Sequence, residues 1–76
     1  MTELLEFLVK ALVEDPEAVT IEELEEDGDL IYEISVAEGD LGRVIGKGGR
    51  IANAIRTIAK AAAVRIDRRV IVDILD

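Results

Sequence analysis

The stretch that could do chemistry is Leu41 to Arg50, which packs four glycines and three cations into ten residues. Three phosphate-binding loops compete for it. A Walker A loop sets four residues between its glycines and follows them with Gly-Lys-Ser/Thr. Here three residues separate Gly42 from Gly46, and Gly48 follows Lys47 where a magnesium-binding hydroxyl should stand. A dinucleotide fingerprint needs Gly-x-Gly-x-x-Gly after a strand, and counting from Gly46 and Gly48 puts Ile51 where its last glycine belongs. The third pattern, Ile-Gly-x-x-Gly between two helices and then a basic residue, is met by Val44-Ile45-Gly46-Lys47-Gly48-Gly49-Arg50. Its physics is direct. Glycines carry no Cβ, so a phosphodiester backbone can come within hydrogen-bonding distance of the main chain. The helix that starts near Gly49 and Arg50 offers unpaired N–H groups and a positive dipole end, and Lys47 and Arg50 add mobile charge. A plain helix–helix turn would need only one glycine.

Other chemistries are thinly supplied. The chain has no histidine and no cysteine, which removes the commonest general base, the thiolate nucleophile and most zinc sites. The seventeen carboxylates are spread along solvated faces, densest at Glu22, Glu23, Glu25, Glu26 and Asp27. Adjacent acids on a strand point to opposite faces and make a poor two-metal site, whereas they suit a hairpin edge that must resist aggregation. No enzyme activity, cofactor, metal or small-molecule substrate is expected.

The net charge of −8 argues against nucleic acid only until its distribution is read. Residues 1–42 hold fourteen acids and one base, and residues 43–69 hold eight bases and one acid. One face should be acidic and another basic, unless the two halves neutralise each other on folding.

With 76 residues the chain suits one small domain, expected to span 1–76 with a core motif at about 30–76. Its opening apolar run, LLEFLVKALV, is broken by Glu6 and Lys10 and has no basic leader, so it reads as neither signal peptide nor membrane span. A cytoplasmic location is expected. The run instead predicts an amphipathic helix from about Glu3 to Glu14, capped by Thr2, with Leu4, Leu8, Ala11 and Leu12 as the buried stripe. Asp15-Pro16 should end it. Asp27-Gly28-Asp29 then joins two strands as an antiparallel hairpin, with a bulge near Glu23 where Leu24 falls out of phase. Asp40 suits the N-cap of a short helix, Leu41 to Ile45. A longer helix from Arg50 to Ala63 should bury Ile51, Ile55, Ile58 and Ala62, with Asn53, Arg56 and Lys60 opposite. Val64 to Arg69 forms a basic connector, and Val70, Val72 and Ile74 belong to a last strand. The order αββααβ predicts an α+β fold: a three-stranded mixed sheet, its last strand parallel to the one before the helix pair, with the helices on one face.

The VIGKGGR loop, the IANAIRTIAKAAA helix after it and this order of elements resemble a KH domain of type II topology. Length, the opening helix ending in EDPEAV and the KAAA stretch are similar, over essentially all residues, to the small single-KH bacterial RNA-binding proteins of the KhpA (YlqC-like) family. The chain departs from such loops at Gly48, where a polar residue is more usual. The resemblance implies single-stranded RNA clamped along its backbone over about four nucleotides. It also implies a role as post-transcriptional regulator or RNA chaperone. Carried onto this chain, one rim holds Arg43, Val44, Ile45, Gly46, Lys47, Gly48, Gly49, Arg50 and Asn53. The other is the central strand around Ile34 to Val36 and the connector with Arg65, Arg68 and Arg69. Ile45 and Ile55 should be mainly core. The only aromatics are Phe7 and Tyr32, so stacking is scarce and binding should be weak and loosely selective. The resemblance further implies a homodimer, or a heterodimer with a larger KhpB-like KH protein, and Ala52, Ala59 and Ala63 form a low-profile strip for helix pairing. The competing reading is a protein-interaction module that pairs with another RNA-binding protein and has little RNA affinity itself.

Overall fold

The computed structural model describes residues 1–76. Helix α1 (Thr2–Leu12) is followed by a 3-10 turn at Pro16–Ala18 and strands β1 (Thr20–Glu26) and β2 (Asp29–Ser35). A short α2 (Leu41–Ile45), a glycine turn, α3 (Arg50–Ala63), a 3-10 turn at Val64–Ile66 and β3 (Val70–Ile74) complete the chain. The sheet order is β1-β2-β3, antiparallel between β1 and β2 and parallel between β2 and β3. This is the mixed α+β arrangement read from the sequence. No helix is long and apolar enough to cross a membrane.

The hairpin turn is two residues long, Asp27 (φ 52°) and Gly28 (φ 85°), and two successive positive φ angles match the right-handed twist of the strands they join. Pairing runs unbroken from Thr20 opposite Ser35 to Glu26 opposite Asp29. There is therefore no bulge at Glu23. Leu24 simply lies on the outer face, opposite Ile31. On the inner face Leu30, Tyr32 and Ile34 meet Val70 and Val72 from β3 and Leu5, Val9, Val44, Ile55, Ala59 and Ala63 from the helices. All three helices thus cover one side of the sheet. Tyr32 donates its hydroxyl to Glu23 Oε1 at 2.7 Å. Burial, with the carboxylate beside it, pushes the phenol up to about 12, which keeps it a donor.

Both long helices sit about one residue round from the expected phase. In α1 the buried side chains are Leu5 and Val9, and Phe7 stands 72% exposed. Apolar residues on every side of this helix left its wheel without a unique stripe. In α3 the buried set is Ala52, Ile55, Ala59 and Ala63, while Ile58 faces outward. Small side chains let α3 lie close against the sheet, so the alanine strip expected to pair helices is core instead. Helix α1 has no side-chain cap, and Thr2 is its first helical residue.

Asp40 explains where α1 stops. It precedes α2 but makes no cap bond there, and its carboxylate accepts the backbone N–H groups of Glu14 at 3.1 Å and Asp15 at 3.0 Å. Those two residues are pulled out of the helix, and Val13 is already extended (φ −93°, ψ 161°). Asp40 is only 4% exposed, and Arg43 Nε lies 3.3 Å from its Oδ1. Asp40→Ala leaves two backbone donors without their acceptor and should cost about 2–4 kcal/mol in urea unfolding. Asp40→Asn keeps one acceptor oxygen and should cost about half as much. A loss below about 1 kcal/mol for Asp40→Ala would show that the clamp does not hold α1 in place.

Candidate nucleic-acid interface

Helix α2 ends where Gly46 turns to φ 75°, ψ 172°, its N–H donating to Gly42 O at 2.9 Å. A 3-10 turn over Lys47–Gly49 follows, closed by Gly49 N–H on Gly46 O at 3.1 Å. Gly48 (φ 65°) and Gly49 (φ 82°) are also left-handed, and Arg50 opens α3 with its N–H on Lys47 O. The N–H groups of Gly49 and Arg50, expected to be free for a phosphate, are thus already bonded inside the turn. The attraction at this end of α3 comes from the exposed Lys47 and Arg50 side chains. Gly46 is fixed by space as well as by backbone angle, because a Cβ there would stand 2.7 Å from Ile51 Cγ1. At Gly48 a Cβ would meet nothing within 4 Å. The turn can therefore fold α2 onto α3 only if residue 46 lacks a side chain.

The rest of the first rim divides. Val44 is fully buried, so it supports the turn from below and presents no surface. The core residue of α2 is Val44, and Ile45 is only half-buried, the reverse of the expected assignment. Arg43 is held by Glu14 Oε1 at 2.5 Å and by Asp40. Asn53 accepts from Arg56 Nη1 at 3.3 Å and lies closest to where a Cβ on Gly49 would be.

Spacing along α3 joins the turn to a cleft. Gly49, Asn53, Arg56, Lys60 and Ala63 recur at four- and three-residue steps, which places them on one stripe of the helix. Arg56 Nε donates to Val72 O of β3 at 3.3 Å, so the stripe faces the sheet edge. Arg56, Lys60, Arg69 and Val70 to Val72 line a cleft of about 360 Å³. A neighbouring hollow of about 460 Å³ shares Lys60, Arg69 and Val70 with it and adds Ala63, Val64, Asp67 and Arg68. The strand beside the cleft is the edge strand β3. The expected central-strand rim is displaced: Ile34 is fully buried, and Ser35 and Val36 line a separate hollow with Glu38 and Asp76. Arg56 and Lys60 were absent from the expected site, although their helical spacing from Gly49 was the available signal.

The connector cations are unequal. Arg68 Nη2 lies 2.5 Å from Glu25 Oε2 and its Nε donates to Gly28 O at 3.1 Å. Arg69 Nε lies 3.6 Å from Asp29 Oδ2. Lys47, Arg50, Lys60 and Arg65 form no ion pair and are exposed.

The family model described as KhpA/KhpB, KH domain, matches residues 2–74. The RNA-binding protein KhpA of Caldanaerobacter subterraneus subsp. tengcongensis is 51% identical over 75 residues, covering 99% of this chain and all of that protein. KhpA of Clostridium acetobutylicum is 49% identical over the same coverage, and KhpA of Listeria monocytogenes 46% identical over the full length of both. Among solved structures, Era of Aquifex aeolicus superposes with a TM-score of 0.65 at 21% identity. It covers 96% of this chain, which spans 28% of that one. That likeness concerns the fold.

The two ends of the glycine turn should respond differently to a methyl group. Gly46→Ala combines a glycine-only backbone region with the Ile51 collision and should cost about 2–4 kcal/mol. Gly48→Ala meets open space at a left-handed φ and should cost about 1–2 kcal/mol. Urea unfolding of both variants checks this, and equal losses would refute the steric role of Ile51.

Proposed function

This chain belongs to the KhpA/KhpB KH-domain family, and from that premise we propose that it is an RNA-binding protein whose strand path runs from the glycine turn along the α3–β3 cleft. The observation that carries the reading is the Gly46–Gly49 turn. It brings backbone without side chains to the surface between two unpaired cations, Lys47 and Arg50. The α3 stripe continues from it through Asn53 and Arg56 to Lys60, at about 1.5 Å per residue. A single strand lying there has its phosphates against the turn and its bases toward the edge of β3 at Val70 to Val72. Tyr32, which is buried, and Phe7, which lies on α1, offer no stacking platform. Contacts are then to backbone and shape, and affinity is modest and loosely sequence-selective. The order of elements suits the type II arrangement. The reading extends to an RNA chaperone or post-transcriptional regulator in the cytoplasm. The alternative of a protein-interaction module has weaker support, since the relatives are named for RNA binding.

The loop is tested by Lys47→Asp/Gly48→Asp. Both positions are exposed and Asp tolerates the left-handed φ of Gly48 better than Ala does, so the fold should survive with a melting temperature about 4–8 °C lower. Affinity for single-stranded RNA should fall at least about tenfold at low salt, since two negative charges replace one positive beside a phosphate. Unchanged binding would sink the assignment.

Self-association, or pairing with a larger KhpB-like partner, needs a face other than the buried alanines. The exposed stripe of α3 supplies one: Ile58 is 40% exposed, between Ala54 and Ala61. Sedimentation across a concentration series should show a weak dimer that Ile58→Glu abolishes without unfolding. Ala59→Glu would instead place a charge in the core. A monomer mass at every concentration would remove the homodimer.

A further inference from the structure

We propose that Glu25 and Asp29 are specificity-determining residues, which occupy Arg68 and Arg69 so that a strand reaches the far end of the cleft only by exchanging carboxylate for phosphate. The inference rests on the RNA reading above and goes beyond it. Of the eight cations from Arg43 to Arg69, three are ion-paired and five are not. Those near the turn and along α3, Lys47, Arg50 and Lys60, have no carboxylate within ion-pair distance. Arg68 and Arg69, which line the hollow at the far end of α3 together with the unpaired Lys60, do. Arg68 is gripped twice by the hairpin, through Glu25 and the Gly28 carbonyl, and Arg69 lies 3.6 Å from Asp29. The hairpin carries six carboxylates from Glu22 to Asp29 and no base. At ordinary ionic strength charges act over roughly 8–10 Å, so this wall opposes any phosphate entering the hollow.

A short strand held at the glycine turn is spared this opposition. A longer strand, or one with more closely spaced phosphates, meets it. Exposed pairs of this kind are individually weak, so phosphate can displace the carboxylates, but each displacement returns an unpaired acid to the surface. The hairpin thereby biases the cleft toward short single-stranded segments, while leaving Arg68 and Arg69 as a reserve of phosphate sites.

The test compares Glu25→Gln/Asp29→Asn with Glu22→Gln/Glu26→Gln. The second variant removes the same number of hairpin charges from positions that pair with no arginine. Binding of oligouridylates about 4 and about 12 nucleotides long is measured from about 50 to 200 mM salt. For Glu25→Gln/Asp29→Asn the long strand should bind about 3–10-fold more tightly at low salt. Its log–log salt slope should steepen by about 1.4, two phosphates at about 0.7 each for a single strand. The short strand should change by less than about twofold. The control should leave the slope unaltered. Equal gains in both variants would reduce the effect to overall charge and overturn the proposal. Weaker or unchanged long-strand binding would do so too, by making the pairs a staple between hairpin and β3. Lys47→Asp/Gly48→Asp measured alongside separates the failures: if that variant binds like the wild type, the loop reading itself falls, whereas its loss of binding with no slope change in Glu25→Gln/Asp29→Asn removes only the hairpin's role.

Discussion

One buried carboxylate organises the end of the molecule from which the glycine turn is hung. Asp40 closes a 3-10 turn, Glu38–Asp40, just before α2 and faces the end of α1, and it is bound from both sides: two backbone N–H groups from Glu14 and Asp15, and the guanidinium of Arg43. A carboxylate removed from water is costly unless donors surround it. Here the two backbone donors come from residues 25 and 26 positions away in the chain, so satisfying Asp40 requires the end of α1 to dock beside α2. Helix α2 is five residues long and could not hold a direction by itself. Anchored by Asp40 at its start and by fully buried Val44 within, it delivers Gly46 against Ile51 with almost no freedom. The surface turn is thus positioned by groups that never reach the surface.

The separation of charge along the sequence becomes only a partial separation in space. Three of the arginines are drawn to acids of the N-terminal half: Arg43 to Glu14 and Asp40, Arg68 to Glu25, Arg69 to Asp29. Neutralisation and display of charge were alternatives when only the chain was read, and the fold does both at different places. What stays without an ion pair is the set Lys47, Arg50, Arg56, Lys60 and Arg65. On the outer face of the sheet the balance is opposite: Glu22, Glu33 and Asp73 stand in one cross-strand row. Like charges directly opposite destabilise a sheet slightly, and they also keep that face from attracting a polyanion.

The element order, the hairpin turn, the parallel last strand and the bounds of α3 could all be read from the sequence, because each depends on local signals: Asp-Gly at the turn, glycines between helices, alternation in Val70 to Ile74. What could not be read depends on packing partners. Which face of α3 is buried was decided by how closely the helix approaches the sheet. Ala59 and Ala63 fill that gap and Ile58 is left outside, against the ordinary expectation that the larger aliphatic goes in. Asp40 looked like a cap because its neighbours in sequence suggested one, while its partners lie across the fold. Arg56 and Lys60 were assigned to a solvated face. The same wheel position that points away from the core points along the edge of β3, and only the position of that strand makes it a cleft. Arg68 and Arg69 were counted as free cations because nothing local reveals that the hairpin tip folds back onto them.

The position of β3 also bears on how bases could be distinguished without aromatic platforms. As the edge strand, β3 has one side of its backbone turned away from β2 and unclaimed by any other strand. Such an edge is normally a liability, since its N–H and C=O groups invite another chain. Here α3 shields it, and Arg56 takes the Val72 carbonyl at 3.3 Å. Under the RNA reading, that contact makes Arg56 the residue through which phosphate and base recognition meet. Selectivity in this cleft then rests on a few backbone groups and on shape, while the cations supply affinity that is indifferent to sequence.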